Sequence, residues 1–219
     1  MTVAVIADIV GSRALSDRAT AQQNFQRVIA DVEQARPLAS SPLRPTVGDE
    51  FQAVYPALDA ALASLLLVQL ALPEGLELRF GIGVGAITDV TGGSVALQDG
   101  PGWWAARDAI DIVEARQQRS LPGARTWIVG DPDEDRHMHD AINMANAYVL
   151  LRDQFVTRMT ERERRLTYGR CLLRTQAALA QAEGISQPAV SQALQSAGSV
   201  AIIAGWEVLN AGVERSARP

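Results

Sequence analysis

The stretch Val47-Gly48-Asp49-Glu50-Phe51-Gln52-Ala53-Val54-Tyr55 constrains the fold of this chain more than any other. A glycine and two acids sit where a turn belongs, and an apolar, β-rich run leaves it. Thr46-Val47 supplies the other arm of a hairpin. Two further segments share this character. Val3 to Ala7 reads as a short buried strand that runs into Asp8-Ile9-Val10-Gly11-Ser12. Leu76 to Thr88 alternates and reads as one long strand. If the three segments are neighbours in one sheet, Asp8 and Asp49 stand side by side. A charge placed directly after a buried strand is costly unless it is paired or holds a cation.

The remaining segments alternate helix and strand. Ser16 or Asp17 can cap a helix to about Ala35, with Phe25, Val28, Ile29 and Val32 on one face. Pro37 to Pro45, with three prolines and two serines, reads as a loop. Pro56 to Leu72 reads as an apolar helix. Gly92-Gly93 turns the chain, and Ser94 to Leu97 is a short returning strand. Pro101 to Gln118 is a helix with proline in its first turn, and Thr126 to Val129 a strand. The predicted fold class is therefore α+β: a ferredoxin-like sheet with helices on one face. After Val129 the pattern is helical. Met138 to about Arg158 is one helix, and Thr160 with Glu163 has the spacing of a capping box that opens the next. Two domains are expected, 1–155 and 156–219.

Composition narrows the chemistry. The formal charge is −5 and there is no lysine, which excludes Schiff-base chemistry and a lysine-bearing P-loop. Residues up to Met159 carry 13 Arg against 20 acids, and the rest 7 Arg against 5 acids, so the two parts present different surfaces. The single cysteine, Cys171, suits a small core position and a reducing compartment. No signal-peptide pattern opens the sequence, and the longest apolar run is too short to span a bilayer, so a cytoplasmic protein off the membrane is expected.

Two carboxylates ending adjacent strands suit a hard divalent cation, Mg²⁺ or Mn²⁺, which keeps water and phosphate oxygens as its other ligands. Gly11 and Ser12, just before a helix, can turn backbone N–H groups toward a phosphate. Taken singly, Gly48-Asp49 is also an ordinary hairpin turn, and Asp8 can cap the turn that follows it.

Asp8-Ile9-Val10-Gly11-Ser12, Gly48-Asp49-Glu50-Phe51, Arg79-Phe80-Gly81-Ile82-Gly83 and Asp99-Gly100-Pro101 together resemble the SatD family of bacterial proteins, over almost the whole chain. The first three motifs are also similar to class III nucleotidyl cyclases. That resemblance implies a cyclase-like first domain in which Asp8, Asp49 and the Ile9 carbonyl bind metal. It also implies that Gly11, Ser12 and Arg107 hold nucleotide phosphates. The cyclase pattern departs at three places: Pro45 replaces the base-reading lysine, Trp103 the asparagine that precedes Arg107, and Ala96 the base-selecting acid. No catalytic residue is assigned, and ordinary cyclase activity is not expected.

Residues 175–195 match a helix-turn-helix. Leu179, Ile185, Val190 and Leu194 form the packing side, Gly184 sits in the turn, Ser186 caps the second helix and Pro188 lies in its first turn. Gln187, Pro188, Ser191, Gln192 and Gln195 form the outward face for duplex DNA, and Arg164 and Arg165 upstream are candidates for its phosphates. The expected protein is a SatD-type regulator, homodimeric, with Trp103 and Trp104 as interface anchors. An active nucleotidyl-transfer enzyme with a helical assembly tail is the alternative.

Overall fold

The computed structural model describes residues 2–12, 17–46, 48–90 and 97–216. Ser16, Val47, Gly92-Gly93 and residues 94–96, including Ala96, lie outside the described residues. Strands β1 (Val3–Ile9), β2 (Ser41–Pro45), β3 (Glu50–Tyr55), β4 (Leu78–Val84) and β7 (Thr126–Gly130) form one sheet in the order β2-β3-β1-β4-β7. Neighbours among the first four are antiparallel, and β7 is parallel to β4. With α1 (Arg18–Ala35) and α2 (Leu58–Ala71) as connections, β1α1β2β3α2β4 has the ferredoxin-like strand order. Strands β5 (Thr88–Val90) and β6 (Leu97–Asp99) form a separate ribbon before α3 (Pro101–Arg119). Five helices follow β7: α4 (Arg136–Val156), α5 (Glu161–Cys171), α6 (Gln176–Glu183), α7 (Gln187–Ser196) and α8 (Ser199–Ser216). Among the described residues no single helix is long and apolar enough to cross a membrane.

Three expectations change. The proline-rich stretch read as a loop contains β2. It is an edge strand, so Pro42 and Pro45 need no partner on the open side. The long strand read from Leu76 to Thr88 ends at Val84. Beyond it the Ala86 carbonyl accepts from Gly102 N–H at the start of α3, so the chain leaves the sheet there. Finally, helices cover both faces of the sheet, not one. Strand β1 is apolar at alternate positions on each side: Val3, Val5, Ala7 and Ile9 join the core with α1 and α2, while Ala4 and Ile6 pack with Ala106, Ile110 and Val113 of α3. Helix α3 can come this close because β4 presents glycine. A Cβ on Gly81 or Gly83 would lie 2.4 or 1.9 Å from an α3 carbonyl oxygen.

Helix α2 is apolar all round, and residues 60–70 are buried. The sheet lies on one side; α5 and α8 lie on the other. The Trp206 indole of α8 donates to the Ala63 carbonyl at 3.3 Å. Leu166, Cys171, Leu179, Val190, Ile202 and Trp206 belong to the same apolar core as the sheet, which continues across residues 155–156. Burial pushes the Cys171 thiol up to about 12, the behaviour of a core residue.

One corner is strained. Between α5 and α6, Leu173 has φ +61 and is 76% exposed. Its N–H and that of Arg174 tie off the carbonyls of Arg170 and Gly169, a helix ending that ordinarily uses glycine. The left-handed conformation costs a branched side chain about 1–2 kcal/mol. Glycine removes that cost but adds unfolded-state freedom. Leu173→Gly should therefore stabilise the fold by about 0.5–1 kcal/mol in urea denaturation; a loss of stability would show that the exposed Leu173 side chain contributes contacts of its own.

Candidate functional site

Asp8 is the last polar position of β1, opposite Glu50 on β3 and Arg79 on β4. It shares the α3 face with Ile6, and there it meets a cation. Arg79 Nε donates to Asp8 Oδ1 at 2.9 Å and Nη2 to Oδ2 at 2.7 Å, a bidentate pair. Arg79 also donates to Gln117 Oε1 at 2.9 Å and approaches Glu114 Oε1 at 3.0 Å, both on the last turns of α3. Burial works against the Arg79 charge, but its bonds to Asp8 and the nearby acids outweigh burial and raise its pKa. Arg79 thus fixes the orientation of the Asp8 carboxylate.

Past Asp8 the chain bends. The N–H of Val10 donates to Glu77, and Gly11 takes φ +66. The hairpin tip takes the same left-handed conformation at Gly48, φ +73, which carries Asp49 into the same space. Asp8, Ile9, Gly11, Ser12 and Asp49 line one open cleft of about 1070 Å³, together with Gln22, Arg79, Glu114, Gln117 and Gln118. Five of the six residues expected for metal and phosphate therefore meet in one place.

Arg107 does not join them. It is half-exposed on α3, paired with Glu50 at 2.7 Å, and lines a separate pocket with Ile6, Gln52, Trp103 and Trp104. The reason is geometric: Arg107 lies near the start of α3, whereas the cleft meets that helix near its end. Trp104, 61% exposed, donates its indole N–H to Asp99 Oδ1 at 2.9 Å. Sequence reasoning missed the parts played by Arg79, Glu114 and Gln117. A signal existed, since Arg79 is the lone charge in an otherwise apolar strand, as Asp8 is in its own.

Among the described residues, the charged groups lining the cleft are Asp8, Asp49, Glu114 and Arg79: three negative charges against one positive, a net −2. Each carboxylate oxygen has a second lone pair beyond the one that Arg79 engages at Asp8. Among the described residues no group of three or more His, Cys, Asp or Glu side chains is placed to hold a metal ion. Asp8, Asp49 and the Ile9 carbonyl would hold a cation whose other ligands are water or phosphate oxygens, the usual habit of Mg²⁺.

At the other end of the chain, α6 and α7 are joined by residues 184–186. Gly184 closes α6 with φ +65, and the Ser186 hydroxyl accepts from Ala189 N–H at the start of α7. Val190 and Leu194 are buried; Gln187, Pro188, Gln192 and Gln195 are exposed and Ser191 is half-buried. Arg165 is engaged with Glu183 by two hydrogen bonds of 2.8 Å, which join α5 to the end of α6. That pairing, chiefly its hydrogen bonds, holds Glu183 below the usual carboxylate range. Arg164 donates to the Met159 and Leu72 carbonyls, tying α5 to the end of α2. Arg174 is exposed, one residue before the Thr175 cap of α6.

The chain is thus an α+β protein with a ferredoxin-like sheet, an acidic cleft at one end of that sheet, and a helical group sharing its core. The SatD family model matches residues 2–203, and the chain belongs to the SatD family. No curated protein matches. Among solved structures, the adenylyl cyclase CyaB from P. aeruginosa is similar at 13% identity and a TM-score of 0.37, over 54% of this chain and 81% of that one.

Proposed function

We propose that this SatD-family protein is a regulator in which a cyclase-like sheet binds a metal–nucleotide ligand in the acidic cleft and α6–α7 act as a helix-turn-helix that reads duplex DNA. The observation that carries this reading is the two-sided character of α7: Val190 and Leu194 seat it on the core, while glutamines and Pro188 face outward. Glutamine can bond an adenine edge in two places in the major groove. Exposed Arg174 at the entry to α6 is suited to phosphate, whereas Arg164 and Arg165 contribute through the framework that orients the pair of helices. The described residues lining the cleft carry a net −2 charge, so a phosphate would enter with a cation that supplies the positive charge, and Gly11 and Ser12 would orient the phosphate oxygens. Arg79 holds the Asp8 carboxylate in a fixed orientation through its two hydrogen bonds. Catalysis is not part of this reading, because Arg107 lies outside the cleft.

Fluorescence anisotropy with labelled duplex DNA, including the DNA upstream of the gene, tests both halves. The full chain should bind at low salt and weaken steeply as salt rises. Arg174→Glu should weaken binding to every sequence, and Gln192→Ala should cost roughly 1–3 kcal/mol on the preferred sequence alone. Adding Mn²⁺ with ATP or GTP should change DNA affinity at least about fivefold in the wild type and leave Asp49→Asn unchanged. Absence of DNA binding at low salt removes the reader. Identical responses in the wild type and Asp49→Asn remove the ligand site.

A further inference from the structure

Helices α4 and α8 leave one side of the molecule apolar. On α4, Met144, Leu151 and Phe155 are 74%, 67% and 48% exposed. With Tyr148 they recur at spacings of four, three and four, the pattern of a single helical stripe. Helix α8 runs beside it: a Cβ on Gly198 would touch the Phe155 ring at 3.0 Å, and one on Gly205 the Tyr148 ring at 3.6 Å. Val208, three residues past Gly205, is 71% exposed and extends the surface. Four of the seven large apolar side chains most exposed among the described residues thus fall on this one surface, so the exposure is concentrated rather than scattered.

The ends of the stripe say what covers it. Asp140 lies one helical turn before Met144 on the line of the stripe, and exposed Arg158 follows just beyond the end of α4, three residues after Phe155. Met144 and Leu151 are seven apart, as are Tyr148 and Phe155, the interval at which two packed helices repeat their contacts. In an antiparallel pair of α4 helices, Met144 of one copy lies beside Phe155 of the other, and Tyr148 beside Leu151. The same register sets Asp140 opposite Arg158, twice over, because a two-fold contact repeats each pairing. A parallel pair would set like charges together.

We propose that this surface is a two-fold interface with a second copy of this chain, formed by antiparallel α4 helices flanked by α8. The pairing rests on neither the acidic cleft nor the outward face of α7, and it assigns the contact to a different surface from Trp103 and Trp104.

Sedimentation equilibrium of the full chain tests it. The wild type should be a dimer at micromolar concentration. Leu151→Glu, at an exposed position, should keep the wild-type circular-dichroism spectrum and a cooperative melt and associate about a hundredfold more weakly. Asp140→Arg and Arg158→Glu should each weaken association about tenfold, and the two together in one chain should restore it to within about threefold. A wild-type monomer at all these concentrations overturns the proposal. So does a dimer that survives Leu151→Glu and is lost in Trp104→Glu, which would place the contact on α3.

Discussion

Asp153→Ala should destabilise the protein by about 3–5 kcal/mol in urea denaturation, the usual cost of stranding one member of a buried ion pair. Arg152 and Asp153 are adjacent on α4, and both side chains are fully buried. Asp153 Oδ1 accepts from Arg152 at 2.7 and 3.0 Å and from the Gln69 amide at 3.2 Å, and Oδ2 accepts from the backbone N–H of Arg125 at 2.8 Å. One carboxylate therefore joins α2, α4 and the turn before β7. Alanine leaves a guanidinium without its counter-charge and strands two further donors. Replacing the pair together, Arg152→Met with Asp153→Leu, removes both charges and should cost less than Asp153→Ala, because the gain from burying no charge offsets part of the about 1–3 kcal/mol for each of the Gln69 and Arg125 donors left behind. If the double variant is no more stable than Asp153→Ala, the pair is not what the single substitution disrupts.

A chain ending at residue 155 should fail to fold cooperatively. Helix α2 needs cover on both sides, and the outer cover comes from α5 and α8. Removing residues 156–219 deletes Leu166, Ile202, Ile203 and Trp206 from the shared core. At about 1.5–3 kcal/mol for each large buried apolar side chain, the loss is about 6–12 kcal/mol. That is comparable with the entire stability of an ordinary domain. The expected result is an aggregating or molten fragment with no sharp thermal transition by circular dichroism. A soluble 1–155 fragment with a cooperative melt would show that the sheet, α2 and α4 are stable without the later helices.

Features that depend only on neighbours along the chain were legible in the sequence. Helix starts were legible because caps are local: Asp17 accepts from Thr20 N–H, and Thr160 and Glu163 form the reciprocal capping box. Gly184 and Ser186 set the corner between α6 and α7 in the same way. The carboxylates at Asp8 and Asp49 stood out because a charge at the end of an apolar strand is conspicuous in any context. Their meeting in one cleft followed from the order of strands, which short connections restrict to few choices. What the sequence could not settle was which face, which edge and which partner. An apolar strand such as β1 carries no mark of what lies on each side, so the position of α3 opposite α1 and α2 had to come from packing against Gly81 and Gly83. Pro42 and Pro45 are compatible with a strand only at an edge, and being an edge is a property of the whole sheet. Arg79 reaches Asp8 only because β1 and β4 pair in that register, and Arg107 is carried to another pocket because α3 runs past the cleft by its far end. These are relations between segments distant in sequence, and they are fixed by tertiary packing rather than by local propensity.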